Sequence, residues 1–421
     1  MSLLPYFIQP GVNEMSYRAL RFLLPLLALT ATTAEAASIN ILYVKGSFPE
    51  QIIEPFEKAH PDINLVLQSP ATDYDDLTKR LLQDSIVGRA PDIIFQGYNR
   101  SRLTVQRGLP IPLEPVLAGD TDWIQQNYKP TSNDLCRHDG KSYGLPFVVS
   151  VPIIYYNPDL VKAAGGDPDH FPDTWEKIAE LAGKITATGN NRIGGFFDYT
   201  SAGNWTFMAL VNAQGGHMMS ADDRKIEFDG AEGKRALKVI QMFGKAGQVD
   251  MPRTQASQGF SAGSVGILVT SSGFLKNLMK QANFQVRTAP FPVSENGRLP
   301  AGGNCMMLLS KDPERQEAAL AFMKYMASPQ VQAEVFEATG YLPGNRLGAA
   351  GPLKEAKPDD PRLVSVNASA RAAEWYSFPG ENALRITEVI KSILQDVVTQ
   401  RLPPEEALPK MQRDVQNLLP R

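Results

Sequence analysis

From Pro146 to Pro158 the chain reads Pro-Phe-Val-Val-Ser-Val-Pro-Ile-Ile-Tyr-Tyr-Asn-Pro, an apolar run rich in β-branched residues, broken at Pro152 and stopped by Asn157–Pro158. Proline carries no backbone donor, so it cannot sit in the middle of a fully paired strand. The run therefore reads as a strand that passes between two lobes, bringing Ser150, Tyr155 and Tyr156 toward a cleft near its ends. Because strand side chains alternate, only one of the two tyrosines is expected to face that cleft.

A chain of 421 residues, 43% hydrophobic and 21% charged, is long enough for two globular domains with cores of their own. Its formal net charge of −3 and its scattered lysines and arginines argue against a nucleic-acid partner. Near the N-terminus, Arg18 and Arg21 precede the apolar run Phe22 to Ala31, and Ala34–Glu35–Ala36 follows. That order of charge, short apolar stretch and small residues is a secretory leader, with cleavage expected after Ala36 and release into a periplasm-like space. Met1 to Glu14 precede a second methionine, Met15, and are set aside from the fold.

Cys136 and Cys305 are the only cysteines. One pair is no disulfide framework for a chain of this size, and both a bridge and two free thiols stand open. His60, His138, His170 and His217 show no metal-ligand spacing, so no metal and no cofactor are expected.

The chain after the leader opens with a strand at Ile39–Val44, a helix around Gln51–Ala59 interrupted by Pro55, and a strand at Ile63–Gln68. Asp73 is placed to cap a helix whose apolar positions Tyr74, Leu77 and Leu81 share a face, and Ala90–Phe95 supplies a third strand. Alternation of this kind predicts an α/β fold with mainly parallel sheets, in which ligands sit beyond the carboxyl ends of strands, near Tyr43, Gln96 and Tyr98. A second α/β unit begins with a helix capped by Asp173 or Thr174. It continues through the strand Val265–Thr270, the Ser271–Ser272–Gly273 turn and a helix from Phe274 to Ala282. Cys305–Leu309 reads as another strand, Pro313–Ala327 as a helix, Gly348–Asp360 as an exposed loop, and the tail as two amphipathic helices.

Gly259–Phe260–Ser261–Ala262–Gly263 matches the G-x-S-x-G pattern, but its strand, Val265–Thr270, follows the serine where a nucleophile elbow needs one before it. The carboxylate pairs Asp75–Asp76, Asp222–Asp223, Asp359–Asp360 and Glu405–Glu406 read as solvated surface, which leaves a glycan hydrolase as a rival without a proposed acid–base pair. What stands out instead is a set of aromatic and small polar residues at strand ends: Tyr155, Tyr156, Trp205, Ser271, Ser272, Gly302, Gly303 and Tyr341.

In order along the chain, Pro146–Pro158, Asp173–Thr174–Trp175, Thr270–Ser271–Ser272–Gly273, Gly302–Gly303 and Thr339–Gly340–Tyr341–Leu342–Pro343 resemble the family 1 extracellular solute-binding proteins of ABC importers. The likeness runs from about Ile39 to Leu419 and lies nearest the sugar-binding and sn-glycerol-3-phosphate-binding branch. The resemblance implies a two-lobed periplasmic binding protein fold with a hinged ligand cleft. It implies an N-terminal lobe of residues 38–150 plus 302–330 and a C-terminal lobe of 151–301 plus 331–421, after a leader of 1–37. Three crossings are implied, at Val148–Tyr156, near Gly302–Leu309 and near Ser328–Gln332. Carried over by position, Tyr74, Gln96, Ser150, Trp205, Ser272, Gly303 and Tyr341 are expected to bind substrate, and Tyr155 at its strand end and Arg385 are added to them. Arg385 lies near, but out of register with, an anion-binding arginine. The implied function is non-enzymatic: a monomer that binds a sugar or sugar-like solute and hands it to membrane permease subunits. The alternative ligand is glycerol-3-phosphate or a phosphodiester.

Overall fold

The computed structural model describes residues 36–131, 135–189 and 191–420. The expected leader, up to Glu35, lies outside the described residues. Among the described residues no helix is long and apolar enough to cross a membrane.

Ten strands carry the architecture: β1 Ala37–Leu42, β2 Ile63–Leu67, β3 Ile93–Gly97, β4 Leu145–Ser150, β5 Pro152–Tyr156, β6 Ile193–Phe197, β7 Val265–Ser271, β8 Arg287–Pro290, β9 Gly302–Leu308 and β10 Leu342–Pro343. They form two sheets, ordered β10-β4-β9-β3-β1-β2 and β8-β5-β7-β6. Pairing is parallel within β2-β1-β3 and between β6 and β7, where strand–helix–strand units supply it. It is antiparallel wherever a crossing strand joins in, at β9 with β3 and β4, β10 with β4, and β5 with β7 and β8. The sheets are therefore mixed: strands that return from the other lobe enter against the local direction.

Local chemistry explains the helices that frame the first sheet. Asp73 caps the helix Tyr74–Ile86 by accepting from the backbone N–H groups of Asp75 and Asp76 at 2.9 and 2.8 Å, and Tyr74, Leu77 and Leu81 are buried beneath it. Pro55 does not break its helix, because Ile53–Ala59 begins only two residues earlier, where the N–H that proline lacks has no partner to lose. Ser261, the serine of the G-x-S-x-G match, ends the helix Arg253–Ser261 and is buried ahead of β7, so it sits on no strand-to-helix elbow.

The run that opened the sequence divides at Val151, with β4 in the first sheet and β5 in the second. Val151 donates its N–H to Ser272 Oγ at 3.2 Å and accepts the Ser272 N–H at 2.9 Å. A second crossing joins β8 to β9, and on it Leu299–Pro300 pairs with Ala372–Ala373. The third differs from expectation. The helix Pro329–Thr339 still buries Val331 and Val335 in the first lobe's core, and β10 then adds to the first sheet. The chain leaves only after the 3-10 turn Arg346–Ala349, before the helix Arg362–Ser369 packs on β8 and β5. The apolar face of Pro329–Thr339 keeps it on the first lobe, so residues 328–332 are no crossing.

Cys136 and Cys305 form a disulfide across 169 positions of sequence, which closes the question that composition left open. Restricting so long a loop in the unfolded chain typically stabilises a protein by about 2–5 kcal/mol. A Cys136→Ala/Cys305→Ala protein should lose stability of that order in urea unfolding of the solute-free form, and an unchanged midpoint would show that the bridge contributes nothing.

Candidate functional site

Beyond the carboxyl ends of β1, β4 and β7 lies a cavity of about 480 Å³ walled by both lobes. The first lobe contributes residues 44–46 and 70–74, Ser150, Gly302, Gly303 and Tyr341. The second contributes Ser201, Ala202, Trp205, Arg253, Thr254, Ser271, Phe274, Asn277 and Trp375. This is where strand polarity places ligands in open α/β sheets.

Aromatic rings make its walls. Trp205 and Trp375 lie with centroids 6.0 Å apart and planes at 53°, and Tyr74 meets Trp375 edge-on at 6.2 Å. Trp205 begins the helix Trp205–Asn212, and its indole N–H donates to the Pro300 carbonyl at 2.9 Å, so the ring is held from the second crossing. The Tyr74 hydroxyl accepts from Asn304 Nδ2 at 3.1 Å, and the same amide donates to Ser47 Oγ at 3.1 Å. Burial raises the hydroxyl pKa of Tyr74 and of Tyr341, and the Arg253 charge pulls both the other way. Both phenols therefore stay protonated at neutral pH and can donate or accept.

Two glycines let the crossing strand approach the cavity. A Cβ on Gly302 would lie 2.6 Å from Ser150 Oγ and 2.9 Å from the Trp205 ring. Gly303 has φ +119°, and a Cβ there would meet the Val148 carbonyl oxygen at 1.9 Å. The tyrosines rest on backbone in the same way: a Cβ on Gly97 would be 2.6 Å from the Tyr74 ring, and one on Gly273 would be 2.3 Å from the Tyr341 ring.

Arg253 brings a charge to this wall. Its guanidinium stands 4.9 Å over the Phe274 ring and 3.7 Å from the Asp198 carboxylate. Asp198 is buried and already accepts from Thr200, Ser201 and Thr270 hydroxyls at 2.8 to 2.9 Å. Among the described residues no hydrogen bond engages the Arg253 side chain, which leaves a fork of N–H donors at the cavity. Asp73, the one carboxylate in the lining, is engaged as a helix cap.

Of the residues expected to bind substrate, the fold brings Tyr74, Ser150, Trp205, Gly303 and Tyr341 together at this cavity. It does not bring the others. Gln96 is fully buried, its amide donating to Thr104 at 2.8 Å and accepting from the Gly97 N–H at 3.1 Å, so its place at a strand end serves the packing of the first lobe. Tyr155 is enclosed in the second sheet and donates to the Ser271 carbonyl at 2.8 Å. Tyr156 stacks on Phe171 at 4.2 Å and donates to Pro168, so neither tyrosine faces the cleft. Ser272 holds the crossing at Val151, and Arg385 is exposed on the helix Ala383–Val398 outside the cavity lining. Trp375, Arg253 and Phe274 escaped the sequence reading. The scarcity of tryptophan, four in the chain, was the signal that could have flagged Trp375.

The family model described as bacterial extracellular solute-binding protein matches residues 51–361. The chain is 26% identical over 212 residues to the sn-glycerol-3-phosphate-binding periplasmic protein UgpB of Escherichia coli K12, covering 47% of this chain and 48% of that protein, so it spans about half the length of that relative. To UgpB of Salmonella typhimurium it is 25% identical over 317 residues, 71% of each chain. Among solved structures, an ABC transporter solute-binding protein of Thermotoga lettingae bound to alpha-D-tagatose superposes with a TM-score of 0.79 at 21% identity, covering 91% of this chain and 100% of that one. That likeness is one of fold.

Gly303→Ala should lower the thermal midpoint through both its backbone angle and the carbonyl clash, together roughly 2 kcal/mol or more. A midpoint equal to the parent's would mean that β9 accepts a side chain there.

Proposed function

The chain belongs to the bacterial extracellular solute-binding proteins, and from that membership we propose that it is the periplasmic binding component of an ABC importer, closing on a sugar-like solute and delivering it to a membrane permease. The cavity walled by both lobes and faced by Trp205 and Trp375 carries this reading. A polyol offers hydroxyls to Ser150, Ser201, Ser271 and the phenols, and an apolar C–H face to the indoles. Closure follows from the same geometry, because only a solute that contacts both lobes favours the closed state over the open one. The permease then meets a closed shape that solute makes dominant. Release after cleavage at Ala36 and action as a monomer complete the proposal.

Homologues of the chain are solute-binding proteins. A hydrolase would need two carboxylates facing each other across the cavity, and among the described lining residues Asp73 stands alone. A second reading of the ligand rests on Arg253. A phosphate or other anion would suit its guanidinium, whose N–H groups make no hydrogen bond among the described residues, a role for which Arg385 is out of place, and two relatives are named for sn-glycerol-3-phosphate.

A thermal-shift panel of sugars, polyols and their phosphates tests both readings. A solute at a hundred times its dissociation constant stabilises by about 2.7 kcal/mol, or about 3 °C for a chain of this size. Neutral sugars should raise the midpoint by that amount, and Trp205→Ala should abolish the rise. A response confined to phosphorylated polyols, lost in Arg253→Gln, would replace the sugar reading with the anionic one. No response to any member would sink the proposal.

A further inference from the structure

Arg100 and Asp75 form an ion pair inside the first lobe, between the helices Tyr98–Gln106 and Tyr74–Ile86. Arg100 Nε donates to Asp75 Oδ1 at 2.8 Å while Nη2 lies 2.7 Å from the same oxygen, and the two side chains are 1% and 13% exposed. Neither lines the solute cavity. Each instead has a group left over, and each leftover group crosses to the second lobe. Arg100 Nη2 donates to Thr387 Oγ1 at 2.8 Å, while Asp75 Oδ2 accepts the Gly203 N–H at 3.3 Å.

The receiving surface is built in advance. Thr387 Oγ1 donates to the Leu384 carbonyl at 2.8 Å, which turns its lone pairs toward Arg100. Asn204 Nδ2 donates to the Thr387 carbonyl at 2.9 Å and joins that helix to the turn carrying Gly203. Gly203 has φ +60°, and a Cβ there would lie 2.1 Å from Asn99 Nδ2 of the first lobe, so the lobes meet here without room for a side chain. Two further arginines flank the contact on the same side: Arg102 meets Asp223 at 2.5 Å and Arg107 meets Glu381 at 3.4 Å.

We propose that Arg100 and Asp75 are positioning residues, a two-pronged latch that sets the balance between open and closed lobes and so tunes solute affinity without touching solute. The proposal rests on the solute-binding reading above. Opening would return both charges to water. Closing removes that water and replaces it with one donor and one acceptor from the second lobe, so the two costs nearly offset. A closed state held this near balance leaves the decision to solute. With one prong removed, a buried guanidinium N–H has no acceptor, the closed fraction falls, and apparent affinity falls with it.

Thr387→Val keeps the shape of the threonine and leaves the Arg100–Asp75 pair intact, so it removes one prong alone. Spin labels at Lys58→Cys and Lys238→Cys, on exposed positions of the two lobes, read the separation, and calorimetry with a panel sugar reads affinity. The latch requires a wider separation in the solute-free variant and a dissociation constant raised roughly 5- to 100-fold. It also requires an unchanged urea midpoint without solute and recovery in Thr387→Ser, which restores the hydroxyl. Parent-like separation and affinity in Thr387→Val would refute the latch while leaving solute binding in place. Failure of the parent itself to bind any panel member would instead overturn the solute-binding reading, and the solute-free separations would still judge the latch.

Discussion

The two-sheet arrangement depends on one peptide unit. At Val151 the chain belongs to neither sheet, and its N–H and carbonyl would both be orphaned in a buried place were it not for Ser272, which serves both. That reciprocal pair fastens the end of β4 and the start of β5 to the end of β7. It also puts Ser150 at the cavity on one side while Pro152 starts the second sheet on the other. The position of the cavity is thus a by-product of how the backbone satisfies itself at the crossing.

Two kinds of interlobe contact surround that crossing, and their energetics differ. If the proposed solute binds here, the aromatic wall would gain from being covered, since a sugar ring would remove its apolar faces from water. The Arg100–Asp75 contact is polar on both sides and exchanges water for protein partners at nearly equal free energy. On the proposed reading, one contact would supply the drive and the other the set-point, on different residues.

Much of the fold was legible because it follows from period and punctuation. The Asp73 cap, the stripe of Tyr74, Leu77 and Leu81, and the break at Pro152 each state a local rule that tertiary structure obeyed. The third crossing was not legible, because a helix such as Pro329–Thr339 declares its apolar face but not which lobe receives it. The site divided along similar lines. Trp205 and Tyr341 stand out among the aromatics near strand ends, while for Tyr74 only the resemblance pointed to the cleft. Gln96 and Tyr155 occupy strand ends as well, yet their polar atoms found partners inside their own lobes, which no spacing announces. Ser272 lies outside the cavity lining, its hydroxyl taken up by the Val151 N–H. Trp375 and Arg253 come from irregular backbone and a helix start, where periodicity carries no information.

Tyr74 and Tyr341 each lean on a glycine, and the reach of both rings into the cavity is set by the absence of a methyl group behind them. A single carbon added at Gly97 or Gly273 would push a phenol forward and reshape the chamber from its back. Preference among solutes can therefore drift, in evolution or by engineering, through positions that no inventory of solute contacts would contain.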